Sequence, residues 1–217
     1  MSSAWWRSTA IRCPNPAEVP TLWLGTERIS AVVEMRHPGI WVMGDLTDDD
    51  RGHGMGIVVE YVGRKGKPQW VKPKPFRWDY ARFGRVGPPP QSDETNEMTF
   101  VKHNAALNGF NQWTINGEAF SMETKKPAYT VYQDRRYRLK FRNASDDVHP
   151  LHLHRHSFEL VEVGGKPTAG VIKDVVMLGG FQELVVDFVA DNPGPTLFHC
   201  HQQLHMDFGF MALFNYA

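Results

Sequence analysis

The 217-residue sequence predicts an all-β fold, either a β-sandwich or a barrel. Its dominant hydrophobic period is two, which is the period of a strand with one buried face. Gly, Pro, Asn and Asp bound the short alternating stretches, and no long amphipathic helical pattern interrupts them. Regularly spaced short strands with such turns are typical of sandwiches and barrels. The predicted strands are RISAVVEM, MGIVVEYV, AYTVYQ, RYRLKFRN, FELVEV and ELVVDFVA.

The strands fall into two groups, which a stretch of different composition separates. Residues 63–100 contain six of the fifteen prolines and few alternating runs, so we interpret them as a long connector anchored by aromatic side chains. Residues 1–62 show only two or three clear strands, too few for an independent sandwich. Residues 101–217 contain the larger predicted β domain.

The composition excludes several classes of partner. Lys and Arg (24) balance Asp and Glu (24), and a neutral chain gives no argument for binding nucleic acid or an acidic membrane. No apolar run approaches the length of a membrane span. The N-terminal MSSAWWRSTAIRCPNP lacks the apolar core of a secretory signal. The two cysteines allow at most one disulfide, and Cys200 stands between two histidines, which makes it a poor candidate for a bridge.

Two motifs, HPLHLHRH and HCHQQLH, concentrate seven of the ten histidines. Successive side chains of a strand point to opposite faces. In the second motif, His199 and His201 therefore face one way and Cys200 the other. His205 follows Cys200 by five residues, a spacing that lets a turn bring both to the same metal.

The first motif divides in the same way. His149 has the opposite parity to His152, His154 and His156, so a continuous strand places it on the other face. Two neighbouring strands with these motifs would form two distinct sites. One contains His149, Cys200 and His205, and the other contains His152, His154, His199 and His201.

Two imidazoles and one thiolate in a trigonal arrangement are the ligands of a blue-copper electron-transfer centre. The thiolate supports Cu(I) and the imidazoles tolerate Cu(II), so the ion can cycle. Structural zinc is an alternative, since histidine and cysteine also bind zinc, but zinc does not need donors divided between two faces. Histidines that merely pack in the core or lie at the surface are the other alternative, against which the two phased motifs argue.

HPLHLHRHSF and HCHQQLHMDFGFM resemble the C-terminal signature of the multicopper oxidases, the family of the laccases. QWTINGEAF, YRLKFRNASDDVHPLHLH, IKDVV and VADNPGPTLFHCH resemble that family's last cupredoxin domain. Upstream, RISAVVEMRHPGIWVMGDLTDDDRGHGMGIVVEY resembles the end of the middle domain of three-domain members. The resemblance implies a cupredoxin-like Greek-key β-sandwich over residues 101–217, preceded by a partial cupredoxin domain over residues 1–62.

By this resemblance, a type 1 copper would be bound by His149, Cys200 and His205. Phe210 occupies the position of the axial ligand, where it cannot coordinate, so the resemblance implies a relatively high reduction potential. We expect Met211, one residue out of register, to be a core residue.

The remaining motif histidines would form part of a trinuclear copper cluster. The resemblance implies that His152 binds the type 2 copper and that His154, His199 and His201 bind the type 3 pair. His156 matches a family histidine that is not a ligand.

The implied reaction is a relay with a small reducing substrate and dioxygen as partners. A phenol, an aromatic amine or a metal ion would give one electron to the type 1 copper near His205. The electron would pass through Cys200 to His199 and His201, and dioxygen would be reduced to water at the cluster. Cys200 and His205 are therefore the residues we expect to carry electron transfer. Members of the family are typically extracytoplasmic.

The chain departs from the family pattern at the trinuclear cluster. The family takes half of the cluster's eight histidines from two His-x-His pairs in its first domain, and this sequence has no such pair outside the two motifs. His37, His53 and His103 are isolated, and we interpret them as surface or turn histidines.

One hypothesis is an enzyme whose missing ligands come from another chain or an N-terminal segment. The alternative is a non-catalytic copper-binding or electron-transfer fragment with a type 1 site only.

The sequence also indicates roles for several residues other than the proposed ligands. Arg155 replaces the glycine of the family's HLHGH, and parity places its side chain on the His149 side. Asp146, Asp147 and Asp174 are candidates either for orienting histidines or for ordinary loop acids. We expect Trp113 to be a core residue.

Overall fold

The computed structural model describes residues 4–7, 13–22, 26–85 and 87–217. Strands dominate these ranges, which contain only two short α-helices and one turn of 3-10 helix. The all-β prediction is confirmed, and each of the six predicted strand sequences forms a strand. Within the same ranges, no helix has the length and apolarity needed to cross a membrane.

The strands in chain order are β1 (Ala4–Arg7), β2 (Glu18–Val19), β3 (Ser30–Val33), β4 (Ile40–Gly44), β5 (Gly56–Glu60), β6 (Glu94–Leu107), β7 (Phe110–Ile115), β8 (Tyr129–Val131), β9 (Arg136–Asn143), β10 (His149–Leu153), β11 (Phe158–Val163), β12 (Lys166–Pro167), β13 (Ile172–Lys173), β14 (Val175–Leu178), β15 (Glu183–Val189), β16 (Thr196–Cys200) and β17 (Met211–Tyr216). The α-helices are α1 (Asp48–Gly52) and α2 (Gln203–Asp207), and the 3-10 helix is Tyr80–Phe83.

The chain forms two compact units. Among the described residues, the smaller unit comprises 4–6, 17–22 and 31–78. Its strands form a sheet in the order β2-β1-β3 and a separate β4–β5 hairpin. The loop of this hairpin contains α1, which begins after Thr47 because the Thr47 hydroxyl accepts a hydrogen bond from the Asp50 amide at 3.1 Å.

The larger unit comprises the described residues 7, 13–16, 26–30, 79–85 and 87–217 and contains two sheets. One has five strands in the order β14-β10-β16-β17-β8. The other has seven strands, six of them in the order β12-β11-β15-β9-β6-β7, with β13 paired to β11. The pairs β6–β9 and β8–β17 are parallel and the remaining ladders are antiparallel. This unit is a β-sandwich, as the sequence predicts.

Strand β6 begins at Glu94, inside the range 63–100 that its prolines mark as a connector. The strand forms there because Met98 and Phe100 alternate with polar residues and are fully buried. An Asn-Gly turn ends the strand: Asn108 and Gly109 have φ angles of 51° and 84°, and they connect Leu107 to its partner Phe110. The division into domains at residues 62 and 100 stays a prediction.

Aromatic side chains from both sheets form the core of the larger unit. Phe100 and Phe141 lie on the seven-stranded sheet, and Phe198 and Phe214 on the five-stranded sheet, each at most 1% exposed. The Phe198 ring centroid lies 5.4 Å from that of Phe141 and 6.1 Å from that of Phe100. Because Phe198 points into this core, alternation along β16 also points Cys200 inward, two residues later.

The two histidine-rich motifs lie side by side in the five-stranded sheet. β10 pairs with β16 so that Leu151 faces Cys200, His152 faces His199 and Leu153 faces Phe198. Side chains of paired residues project to the same face of a sheet. The register therefore brings His152 and His199 together on the face opposite to Cys200.

Asp187, a fully buried carboxylate on β15, ties β15 to β9. It accepts hydrogen bonds from Arg136 Nε at 2.8 Å and from Arg138 Nε at 2.8 Å. We predict that Asp187→Asn lowers the free energy of unfolding by about 3 kcal/mol, the lower end for a broken buried pair, because both guanidinium groups keep some contact with solvent. Urea denaturation followed by circular dichroism measures this loss.

Glu97→Gln is the matched control for this substitution. Glu97 pairs with Lys140 at 3.5 Å where both side chains are exposed, so we expect a loss of about 1 kcal/mol or less. Equal losses in the two variants would contradict a special role for the buried carboxylate.

Candidate metal centre

Three metal-binding side chains meet in the interior of the larger unit. β10 supplies His149, β16 supplies Cys200 and α2 supplies His205. Cys200 Sγ lies 3.6 Å from His149 Nδ1 and 3.4 Å from His205 Nδ1, and the two Nδ1 atoms are 3.1 Å apart. Within the described ranges, no other three His, Cys, Asp or Glu side chains have all their donor atoms within 4.8 Å. The sequence motifs predicted this grouping.

Hydrogen bonds fix the protonation of the His149 ring. The Asn143 amide nitrogen donates to the carbonyls of Asp147 and Gly179, so Asn143 Oδ1 is an acceptor. The Ser145 hydroxyl must donate to this oxygen, at 2.8 Å, and it therefore accepts from His149 Nε2 at 3.1 Å. In the neutral ring this leaves Nδ1 of His149 unprotonated and directed at Cys200 and His205, as a metal ligand must be.

Burial keeps all three donors uncharged. His149 and Cys200 are 0% exposed and His205 is 7% exposed. Burial lowers the pKa of His149 to about 3, lowers the pKa of His205 and raises the pKa of the Cys200 thiol to about 12. A metal bound here must displace the thiol proton, because only the thiolate is a strong ligand.

Phe210 closes the site on the side of His149. It is fully buried, and its ring centroid lies 4.7 Å from that of His149. Backbone hydrogen bonds hold it in place, because its amide donates to the His205 carbonyl at 3.0 Å and its carbonyl accepts from the Cys200 amide at 3.2 Å. Phe210 has no donor atom for a metal.

The donor set fits copper better than zinc. Structural zinc takes four protein ligands, and catalytic zinc keeps a position open to water. The three buried donors beside Phe210 provide neither arrangement, whereas two imidazoles and one thiolate suit a trigonal copper site. The expectation that Met211 is a core residue is wrong, because Met211 is half-buried and pairs with His199, which places its side chain on the outward face of the sheet.

Four other histidines meet on the opposite face of the five-stranded sheet. His199 is buried, His152 is half-buried, and His154 and His201 are exposed. His154 Nε2 and His199 Nε2 lie 2.9 Å apart, and the centroid of the His152 ring is 4.9 Å, 5.6 Å and 6.0 Å from those of the other three. The structure thus separates the motif residues into an inward set and an outward set.

Backbone carbonyls orient two rings of the outward set. His152 Nδ1 donates to the Asp174 carbonyl at 2.7 Å, and His199 Nδ1 donates to the Cys200 carbonyl at 2.9 Å. In the neutral form of either ring, Nε2 is therefore the unprotonated nitrogen that can bind a metal. In the metal-free chain, His199 Nε2 accepts a hydrogen bond from His154 Nε2 at 2.9 Å. Asp174 acts through its backbone, while its carboxylate pairs with Arg28. Burial lowers the pKa of His199 to about 4.

Residues outside the two sets match several of the sequence interpretations. His37, His53 and His103 are exposed, as the sequence predicts. His156 is buried, where its ring bonds to the Tyr216 hydroxyl at 2.6 Å and to the His154 carbonyl at 2.9 Å, apart from both sets. Both cysteines are free thiols.

The expectation that Arg155 lies on the His149 side is wrong. Strand alternation does not reach this residue, because β10 ends at Leu153 and Arg155 has a φ angle of 66°. Its side chain turns to the loop before β16, where Nη2 donates to Asn192 Oδ1 at 2.6 Å and to the Pro193 carbonyl.

Sequence reasoning did not find two residues that support the inward set. Ser145 gives no signal beyond its distance of four residues from His149. Trp113, expected in the core, is 3% exposed and also stacks on the His205 ring with centroids 4.1 Å apart. Its indole N–H donates to Asp147, one of the candidate orienting acids.

The buried histidines predict that acid destabilises the metal-free chain. Between about pH 6.5 and the folded pKa of about 3, His149 binds a proton in the unfolded state but not in the folded state. The free energy of unfolding should therefore fall as pH falls from 7 to 4. Urea denaturation in the presence of a chelator measures this dependence.

His149→Gln should make this pH dependence shallower, since it removes one of the groups responsible. His53→Gln is the matched control, because His53 is exposed, and it should leave the slope unchanged. Equal stability of the unsubstituted chain at pH 7 and pH 4 would contradict the prediction.

The Ser145 hydrogen bond predicts an effect on metal affinity. Ser145→Ala releases His149 Nε2 and allows the ring to take its other tautomer, so we expect about 10- to 100-fold weaker Cu(II) binding. Competition with a chelator of known affinity measures the change. Ser121→Ala, at an exposed serine, should bind as the unsubstituted chain does, and equal affinities for both variants would exclude the proposed orientation.

The sequence of this chain is similar to sequences of known proteins. The sequence model of the family described as "Multicopper oxidase" matches residues 88–217. The chain is 28% identical to the multicopper oxidase MmcO of Mycobacterium tuberculosis, over 93% of this chain and 39% of that protein. It is 41% identical to Laccase-2 of Fomitopsis schrenkii, over 86% of this chain and 44% of that protein. The chain spans less than half of the length of either relative.

Solved structures share the fold. The crystal structure of the McoA multicopper oxidase from Aquifex aeolicus matches all of this chain and 50% of its own, with a TM-score of 0.58 and 17% identity. The structure of Fet3p, described as a multicopper oxidase that functions in iron import, matches 75% of this chain and 40% of its own, with a TM-score of 0.56. These similarities confirm the cupredoxin-like fold, and the family match shows that the chain belongs to the multicopper oxidases.

Proposed function

We propose that the chain is the C-terminal part of a laccase-like copper oxidoreductase, which takes single electrons from a small reducing substrate and reduces dioxygen. The observation that carries this proposal is a buried set of two imidazoles and one thiol beside an outward set of four histidines. The two sets adjoin on strand β16, where Cys200 of the buried set follows His199 of the outward set. Family membership supports copper as the metal. The proposed type 1 ligands are His149, Cys200 and His205, and the proposed ligands in the trinuclear cluster are His152, His154, His199 and His201.

Bound copper would supply one-electron redox chemistry, and the chain's own residues prepare the site for it. The hydrogen bond with Ser145 keeps His149 Nδ1 unprotonated. His205 Nδ1 lies 3.1 Å from it and therefore donates the hydrogen bond between the two rings in the metal-free chain. Metal binding at these atoms would release the thiol proton of Cys200, and it would require the neutral His205 ring to carry its proton on Nε2 instead of Nδ1. Phe210 is fully buried beside His149 and has no donor atom, and a copper held by three donors alone would favour the Cu(I) state and a relatively high potential.

The covalent chain provides the connection between the two sets. His199 and His201 are the direct neighbours of Cys200, so one peptide unit separates the thiolate from each of these imidazoles. Cys200 and His205 are the residues we propose to carry electron transfer, from a substrate near His205 towards the outward set.

The outward set needs further ligands, which we propose come from another chain or from an N-terminal segment with His-x-His pairs. Phenols, aromatic amines and metal ions are the proposed classes of reducing substrate. We also propose that residues 1–62 form part of a middle cupredoxin domain and that residues 63–100 connect it to the domain at 101–217.

A non-catalytic copper protein is the second candidate function. It would bind copper at the inward set and exchange electrons without reducing dioxygen. The observation that favours it is that the remaining histidines, His37, His53 and His103, are exposed and form no His-x-His pair in the sequence.

Copper titration of the isolated chain tests the proposed ligands. We expect binding of Cu(II) with the intense visible absorption of a copper–thiolate bond, and we expect Cys200→Ser to abolish that absorption. Cys13→Ser is the matched control, because it removes the other free thiol and should leave the absorption unchanged. An unchanged spectrum in the Cys200 variant would contradict the assignment.

Oxygen consumption by the same copper-loaded chain separates the two functions. Steady oxygen uptake that appears only after addition of a protein segment with His-x-His pairs supports the enzyme. The absence of uptake under both conditions supports the electron-transfer protein. Uptake with a full copper complement in the isolated chain would show that no outside ligand is needed.

A further inference from the structure

The two imidazoles of the inward set are held in different ways. His149 pairs with Leu178 of strand β14, and Ser145 bonds to its outer nitrogen. His205 lies on α2, a helix of five residues. The side chain of its N-cap residue, Gln202, does not cap the helix and instead donates to the Val148 carbonyl at 2.8 Å. In the described part of the chain, no hydrogen bond reaches His205 Nε2. Its outer support is the Trp113 ring, which stacks on the imidazole with centroids 4.1 Å apart and planes 26° apart.

Trp113 is itself anchored at both ends. Its backbone amide donates to the carbonyl of Phe208, the residue that ends α2, at 3.0 Å. Its indole N–H donates to Asp147 Oδ2 at 3.0 Å, and Lys102 Nζ donates to the other oxygen, Asp147 Oδ1, at 3.0 Å. Asp147 precedes His149 by two residues. One chain of contacts therefore connects the strand that carries His149 to the face of the His205 ring.

This arrangement should distinguish between the oxidation states of a bound metal. The face of an indole ring is electron-rich and attracts a cationic partner. A bound imidazole carries more positive charge with Cu(II) than with Cu(I), and the carboxylate on the indole N–H adds to the electron density of the ring. The stack should therefore stabilise the Cu(II) form more than the Cu(I) form.

We infer that Trp113, held by Asp147 and Lys102, is a positioning residue that fixes the plane of the His205 imidazole and strengthens binding of Cu(II) relative to Cu(I). This inference rests on the proposed copper site at His149, Cys200 and His205. Trp113, Asp147 and Lys102, none of which is a proposed ligand, would then contribute to the reduction potential of the bound metal.

Cu(II) and Cu(I) titrations of the full chain, together with redox titration, test the inference. Trp113→Leu removes the stack and should weaken Cu(II) binding about 10- to 100-fold, weaken Cu(I) binding less and raise the reduction potential. Trp113→Phe keeps an aromatic face and should give a smaller shift in the same direction. Asp147→Asn should also raise the potential, because it removes the negative charge on the indole N–H.

Asp146→Asn is the matched control, since Asp146 also bonds to Lys102 but makes no bond to Trp113. It should shift the potential less than Asp147→Asn does. Trp70→Leu, at a ring that contacts Arg51, controls for loss of a tryptophan elsewhere.

A second readout needs no metal. Stacking on an indole shifts the ring-proton resonances of His205 upfield in the metal-free chain, and Trp113→Leu should remove this shift while Trp113→Phe retains part of it.

Equal weakening of both oxidation states in Trp113→Leu, with an unchanged potential, would overturn the inference and leave a merely structural role. Failure of the unsubstituted chain to bind copper through Cys200 would overturn the proposed function and the inference together. Copper binding with unchanged constants in Trp113→Leu would overturn the inference alone.

Discussion

The site depends on the alternation of side chains along one strand. Phe198 on β16 points into the aromatic core between the two sheets, and this fixes the direction of every other side chain on the strand. Cys200 follows Phe198 inward, and His199 points to the opposite face. The register with β10 then places Leu151 and His149 on the inward face and His152 beside His199. A shift of one residue would exchange the two sets of donors.

The two faces give their donors different environments. The inward donors lie in an apolar interior, where neutral forms are favoured and the thiol keeps its proton until a metal arrives. Phe210, which lies beside them, supplies no fourth donor atom. Two histidines of the outward set are exposed, which leaves that set accessible to ligands that this chain does not supply. The sandwich core therefore positions the site and also determines what each set of donors can do.

The fold class and the division of donors could be predicted from the sequence because both follow from a period of two. Prediction failed at Arg155, where the strand ends two residues earlier and a left-handed backbone conformation redirects the side chain. The support of the site could not be predicted either. Trp113 and Asp147 are 34 residues apart in the chain, and no local pattern shows that β7 brings an indole onto a ring of α2. Ser145 is closer to its partner, but its role depends on Asn143, whose amide is fixed by the distant Gly179 carbonyl.

We propose that the inward set of His149, Cys200 and His205 is a copper site distinct from the outward histidines. Anomalous diffraction at the copper absorption edge, from crystals of the chain grown with one equivalent of copper, distinguishes the two locations. We expect a strong anomalous peak bonded to Cys200 Sγ and to Nδ1 of both His149 and His205. A peak among His152, His154, His199 and His201, with none at Cys200, would contradict it.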